Sequence, residues 1–307
     1  MILALAGGIG AARFLEGLVR VIPQSNLTVI GNVGDDKDFY GLHVSPDLDI
    51  VSHTLAAIVD TAKGWGIQND TFACQKMLRK CGYETWFNIG DRDLATHIYR
   101  TEQLRKGRRL SEVTATIVKQ LELRIRLLPA TDDDFQTYVV ANGRRMHFQE
   151  YLVRLRTKPH VDKVSFHGSR KAKPAKGVLT SIRQADGIIV CPSNPIVSIG
   201  AILAVPRIRW ALRRARSKTV AISPIVGGKT IKGPADKLMR SLGVEPSALS
   251  VAYLYRDFID TLIIDRVDED LEKRIEALGI KAVVTDTIMR SLGDKVRLAR
   301  IAMRELR

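Results

Sequence analysis

The sequence predicts an α/β protein: a doubly wound, mostly parallel, Rossmann-like sheet carrying a helical insertion and a β-hairpin. Three observations lead there. The chain begins with an apolar run, Ile2 to Ala6, followed at once by glycines and then by a helical pattern. From about residue 160 short apolar runs alternate with helical segments. Between these two stretches, over 50–149, that alternation is absent and an Asn-Gly pair marks a hairpin. Alternation of strands and helices gives a parallel sheet covered on both faces. The expected division is a core made of residues 1–49 and 150–307, with 50–149 inserted.

In chain order, Ile2 to Ala6 reads as the first strand, and Gly7, Gly8 and Gly10 form the turn after it. Phe14, Leu15, Leu18 and Ile22 are spaced for one buried helix face, and Pro23 ends that helix. Leu27 to Gly31 is a second strand, followed by the acidic loops Asn32 to Asp36 and Ser45 to Asp49. Ile50 to Ala62, Thr71 to Arg79, Leu94 to Arg105 and Leu110 to Leu121 read as helices. Thr137 to Ala141 and Arg144 to Gln149 flank Asn142-Gly143, a strong hairpin signal. Strands then follow at Val161 to His167, Gly187 to Cys191, Thr219 to Ser223, Ala248 to Tyr253, Thr261 to Asp265 and Lys281 to Thr285. Helices are expected over Lys176 to Ala185, from Ser198, and over Asp236 to Leu242, Leu271 to Leu278 and Asp294 to Glu305.

Composition narrows the functional classes. At 307 residues and 45% hydrophobic content the chain can bury a full core. No run of 18 apolar residues is present and no basic segment precedes the first strand, so neither a membrane span nor a signal peptide is expected. Three widely spaced cysteines, Cys74, Cys81 and Cys191, show no metal pattern and fit a reducing cytoplasm. The net charge of +15 sits beyond residue 100: residues 1–100 hold 9 basic and 11 acidic side chains. Its clusters, Arg154 to Lys176 and Arg207 to Lys218, lack a nucleic-acid fold motif and are read as solvated faces or as steering for an anionic substrate. No nucleic-acid partner is expected.

The chemistry-bearing residues gather at strand ends. A glycine turn before a helix lets backbone N–H groups approach a phosphate, so Gly7, Gly8 and Gly10 are candidates for a diphosphate. Asp35, Asp36, Asp47 and Asp49 fall in loops at the carboxyl end of the sheet, where a crevice is expected. Several carboxylates near a phosphate call for a cation, and Mg²⁺ is the expectation, with Asp36, Asp47 and Asp49 as ligands. Period-two spacing would point Asp47 and Asp49 the same way. Ser193 and Asn194, held in a loop by Pro192 and Pro195, and the lysine-bearing glycines Gly227, Gly228 and Lys232 offer further nucleotide contacts. His97 reads as a helix histidine satisfied by a neighbour rather than a base.

The motifs GGIGAARFLEGL, NVGDD, GLHVSPDLD, WGIQNDTF, MHFQEY, PSNPIVSIG and SPIVGGKTIKGPADKLM, in that order along nearly the whole chain, resemble the 2-phospho-L-lactate transferase family of coenzyme F-420 biosynthesis. Ile9 and Ile50 stand where that family usually carries Thr, and Arg13 where Lys is common. The resemblance implies transfer of a phospholactyl or phosphoenolpyruvyl group from a guanosine diphosphate conjugate. The acceptor would be the ribityl hydroxyl of the deazaflavin 7,8-didemethyl-8-hydroxy-5-deazariboflavin (Fo), and the products F-420 without glutamate, or its dehydro form, and GMP. It implies Asp47 and Asp49 as catalytic residues, Asp49, Asn88 and Asp91 on the acceptor side, segment 50–149 contributing to the acceptor site, and a homodimer. The alternative is a nucleotide-sugar binding regulator of the gluconeogenesis-factor type, without transfer activity.

Overall fold

The computed structural model describes all 307 residues. Seven strands form the central sheet: β1 (Ile2–Ala6), β2 (Leu27–Gly31), β3 (Arg126–Pro129), β4 (Gly187–Val190), β5 (Thr219–Ile222), β6 (Thr261–Asp265) and β7 (Lys281–Thr285). Their spatial order is β3-β2-β1-β4-β5-β6-β7, and every neighbouring pair is parallel. β1 and β4 are apolar at every position and β2 at all but Thr28, and all three are buried throughout, as a sheet covered by helices on both faces requires. The expected doubly wound fold is therefore what the chain adopts.

Strand order reverses between β1 and β4, and the loops leaving their carboxyl ends part to opposite faces. That divergence opens a crevice, the usual ligand position in such sheets. Helix α1 (Gly8–Leu18) leaves β1 directly. It packs against α2 (Pro46–Leu55) and, at its far end, the C-terminal helix Leu292–Glu305. A second, antiparallel sheet of Gln136–Ala141, Arg144–His147 and Val161–His167 contains the expected hairpin and stands beside the crevice.

Among the elements that differ from expectation, three show the physical reason directly. The helix expected over 50–62 begins four residues earlier, because Pro46 fits the first turn of a helix, and it ends at Leu55 before Ala57 takes a left-handed φ of 57°. The 49/50 boundary consequently falls inside α2. Arg126–Pro129, which carried no assignment, is the edge strand β3, paired with β2 from Thr28↔Arg126 to Gly31↔Pro129. Ala248–Tyr253, expected as a strand, belongs to a helix, Ala248–Tyr255: the Ser247 hydroxyl accepts from the Ser250 N–H and starts it. A short apolar run fits either a buried strand or a buried helix, and here the cap decides.

Candidate active site

One cavity of about 570 Å³ lies over the crevice. Its walls come from the glycine turn after β1, the acidic segments after β2, the Pro192–Ser198 loop after β4, and segments following β5 and β7. The segment between α2 and β3 adds Trp65, Phe87 and Asn88. Of the expected residues, Gly7, Gly8, Gly10, Asp35, Asp47, Asn88, Ser193, Asn194 and Lys232 line it.

The glycine turn is tightly packed. Gly7 donates its N–H to Ser193 Oγ at 3.2 Å and Gly8 donates to Asp47 Oδ1 at 2.9 Å. A carboxylate thus sits at the positive end of α1, where the peptide dipoles favour negative charge, and the Gly7 and Gly8 N–H groups expected to cradle a diphosphate are, like that of Gly227, already taken by side chains. A side chain at Gly7 would meet Ser198 Cβ at 2.7 Å and Asp47 Oδ2 at 2.9 Å. Gly8 has a φ of +73°, a conformation glycine adopts without a Cβ clash.

The four carboxylates separate into two kinds. Asp35 and Asp47 are buried and share one amide: Asn32 Nδ2 donates to Asp47 Oδ2 at 2.8 Å and to Asp35 Oδ1 at 3.2 Å. Gln149 Nε2 donates to Asp35 Oδ2 at 2.6 Å. Neither has a cationic partner within 4 Å. Burial, then the charge of Asp47, pushes the Asp35 carboxyl well above its ordinary range. Burial, with the charge of Asp36 adding to it, pushes Asp47 up to about 6.

Asp36 and Asp49 are compensated from within the protein. Asp36 Oδ2 accepts from Ser45 Oγ at 2.7 Å and lies 3.2 Å from His43 Nε2. Burial raises Asp36, and its contact with His43 works against that rise. Asp49 is gripped by Arg100, whose Nη1 donates to Oδ2 at 3.0 Å while Nη2 donates to Oδ1. Burial alone would raise Asp49; the Arg100 and His97 charges outweigh it and hold the carboxyl below its ordinary value.

The expectation that Asp47 and Asp49 point the same way is corrected by α2. Two residues apart on a helix differ by about 200°, not by a full turn. Asp47 therefore faces the glycine turn, whereas Asp49 faces Arg100 on α3 (Asp91–Arg105), away from the cavity wall.

Other expected residues also lie elsewhere. Gly227 and Gly228, with φ of +55° and +73°, make the two-residue turn of a hairpin pairing Ile225–Val226 with Lys229–Thr230. The Gly227 N–H donates to both carboxylate oxygens of Asp268 at 3.1 Å, so it is not available to a phosphate. Asp91 accepts from the Ala73 and Cys74 N–H groups at 2.8 and 2.9 Å and from Thr71 Oγ1. Its carboxylate thereby anchors the start of helix Ala73–Lys80, and Asp91 does not line the cavity. His97 is partnered on one side only: Nδ1 lies 3.2 Å from Arg100 Nη1, while the buried Nε2, 3.5 Å from Asp93 Oδ2, makes no hydrogen bond.

Several residues of the site carried no sequence signal of their own. Asn32 lies inside a motif dominated by aspartates, and Gln149 at the end of a hairpin strand. Phe87 presents to the cavity a ring backed by Phe39, stacked at 4.0 Å and 11°. Arg13, noted in sequence only as standing in place of a usual Lys, also lines the cavity, and its guanidinium donates to the Met289 carbonyl.

The donor set can be tested against Mg²⁺. Asp35 and Asp47 are buried carboxylates with no cationic neighbour, which suits a hard divalent cation, whereas Arg100 neutralises Asp49 and His43 lies on one oxygen of Asp36, whose Oδ1 is buried without a hydrogen bond. No three acidic, histidine or cysteine side chains converge for a metal. A Mg²⁺ ion here would complete its shell with water and substrate phosphates, its common habit.

Fold and cavity together define a class: a doubly wound α/β protein with a cavity at the sheet's switch point, beside buried carboxylates. Residues 2–302 match the model of the family described as 2-phospho-L-lactate transferase CofD, and the chain belongs to that family. It is accordingly an enzyme, a transferase of coenzyme F-420 biosynthesis. The phosphoenolpyruvate transferase of Streptomyces coelicolor is 44% identical over 308 residues, covering 98% of this chain and 97% of that protein. The 2-phospho-L-lactate transferase of Methanosarcina acetivorans is 38% identical over 295 residues, covering 96% and 95%. A solved structure of a UPF0052-family protein from Bacillus halodurans superposes with a TM-score of 0.63 at 15% identity, covering 98% of both chains; it supports the fold. No helix is long and apolar enough to cross a membrane.

Proposed function

We propose that this transferase moves a phosphoenolpyruvyl group from a guanosine diphosphate conjugate to the ribityl hydroxyl of Fo, releasing GMP. The observation that carries the reading is the continuity of the cavity. A single space of about 570 Å³ is lined by the glycine turn and the Pro192–Ser198 loop together with Trp65, Phe87 and Asn88. The loops at the strand ends suit a nucleotide and the aromatic wall a flat acceptor, and a direct transfer needs both in one place.

In this reading the hydroxyl oxygen of Fo bonds to the donor's β-phosphorus. The bond from that phosphorus to the bridging oxygen breaks, and the oxygen leaves with GMP. Asp47 takes the hydroxyl proton. Its raised value of about 6 puts it close to the range in which a carboxylate accepts a proton effectively near neutral pH. Mg²⁺, when bound, would neutralise charge on the phosphoryl oxygens. Asp35 would hold it, its carboxylate fixed by Asn32 and Gln149, which leaves Asp47 free to take the proton. Ser193, Asn194 and Lys232 would line the nucleotide end, and Asn88 the acceptor end. Asp49 supports α2 rather than touching substrate, because its carboxylate is already held by Arg100.

Phosphoenolpyruvyl is favoured over phospholactyl by the relatives. Those named phosphoenolpyruvate transferases are up to 44% identical, against 37–38% for those named 2-phospho-L-lactate transferases. The test supplies Fo, Mg²⁺ and either donor conjugate, and reads product mass. Dehydro-F-420 without glutamate plus GMP from the phosphoenolpyruvyl donor is expected. Preferential use of the phospholactyl donor would reverse the choice of acid; no product from either would remove the reading. A homodimer belongs to the same proposal and is checked by the mass of the protein in solution.

A further inference from the structure

Arg100 is the largest fully buried side chain of the protein, 1% exposed. A guanidinium so far from water needs compensation on several sides. Asp49 supplies most of it through two parallel hydrogen bonds, the geometry in which Arg holds a carboxylate in both distance and direction. His97, one turn earlier on α3, packs its Nδ1 3.2 Å from Nη1. The next residue, Thr101, accepts the His43 N–H at 2.8 Å, and the His43 ring in turn meets Asp36. Two consecutive residues of α3 therefore grip both acidic segments from behind the cavity.

The consequence falls on Asp47. It shares the first turn of α2 with Asp49, and its carboxylate must reach both the Gly8 N–H at 2.9 Å and Asn32 at 2.8 Å. We propose that Arg100 is a positioning residue for the transfer: held on α3, its fork fixes the first turn of α2 through Asp49 and so sets where Asp47 stands in the cavity. This rests on the role given to Asp47 above. It extends that role by linking the carboxylate to α3, whose preceding segment carries Phe87 and Asn88 at the acceptor end.

The test compares single-turnover rate at saturating Fo and donor, GDP affinity by calorimetry, and thermal unfolding. Arg100→Lys keeps the charge but replaces a rigid fork by a single point, so Asp49 is held at a distance but not in direction. A fall in single-turnover rate of about 10- to 100-fold is expected, the scale of a misplacement near 1 Å. GDP affinity should fall far less than the rate, since Arg100 shares no hydrogen bond with Ser193, Asn194 or Lys232. Arg100→Met should lower the rate further; if it does not fold, the lysine variant decides alone. A purely structural role would lower the unfolding temperature and leave the rate of the folded enzyme as in the wild type, and that result overturns the proposal. Asp47→Asn is measured alongside. A wild-type rate in Asp47→Asn removes the role of Asp47, whereas a wild-type rate in Arg100→Lys with Asp47→Asn inactive removes only the link through Arg100.

Discussion

Gly7→Ala is the sharpest local perturbation of the site. Its backbone, φ −156° and ψ 136°, is open to any L-residue, so the substitution acts through space alone. The new methyl would lie 2.7 Å from Ser198 Cβ and 2.9 Å from Asp47 Oδ2. Carbon atoms rest at about 3.5–4.0 Å, so the Ser198 loop and β1 must separate by roughly 1 Å. Overpacking of this kind costs about 1–3 kcal/mol of stability. The same shift turns Asp47 away from the glycine turn, and a displacement near 1 Å costs about 100-fold in rate. Gly8→Ala is the control: its methyl meets nothing closer than Asp47 Oδ1 at 4.0 Å, but its φ of +73° costs about 1–2 kcal/mol. Urea unfolding and transfer rate, measured on both variants, separate crowding from strain. Gly7→Ala should lose both stability and rate, and Gly8→Ala mainly stability. A Gly7→Ala protein with wild-type stability and wild-type turnover would refute the packing argument.

Three further outcomes follow from the same geometry. Asp47 has a folded value of about 6 against an ordinary 3.8, so its contribution to stability is present below about pH 4 and lost as pH rises through 6. The difference corresponds to roughly 3 kcal/mol at most, so Asp47→Asn should unfold at higher temperature than wild type at pH 7 and show no gain at pH 4; equal gains at both would contradict it. Mg²⁺ at ten times its dissociation constant should add about 1.4 kcal/mol at pH 7.5, and much less at pH 5, where protons compete for the raised carboxyl of Asp35; an unfolding temperature indifferent to EDTA and Mg²⁺ at both pH values counts against a cation there. Asp91→Ala should speed hydrogen exchange at the Ala73 and Cys74 amides while leaving GDP affinity unchanged, and an unchanged exchange rate would mean that the helix start is held by something else.

The sheet was legible because its strands are continuous apolar runs after glycines and turn residues, a signal that does not depend on distant contacts. Ala248–Tyr255 was misread because an apolar eight-residue run has no period of its own, and only the Ser247 cap separates helix from strand. In the site, the glycine turn, Asp47 and the Pro192–Ser198 loop were legible from their positions at strand ends. The separation of Asp47 from Asp49 was not. It depends on Pro46 starting α2 four residues before the apolar periodicity begins, which turns a presumed loop into a helix and sends alternate carboxylates in different directions. Arg100 left no trace in the sequence, since a basic residue on a helix usually faces water. Its burial follows from Asp49, 51 residues away. Gly227 and Gly228 looked like an anion loop because glycines serve phosphate cradles and hairpin turns equally well, and Asp268 decides for the turn.

The central claim is that nucleotide and deazaflavin meet in one cavity beside Asp35 and Asp47. The most direct test titrates the protein with Fo, following the fluorescence of the deazaflavin, with and without GDP and Mg²⁺. Saturable binding at one site per chain is expected, tightened when GDP and Mg²⁺ are present. Absence of Fo binding under every condition, with GDP binding intact, would contradict it.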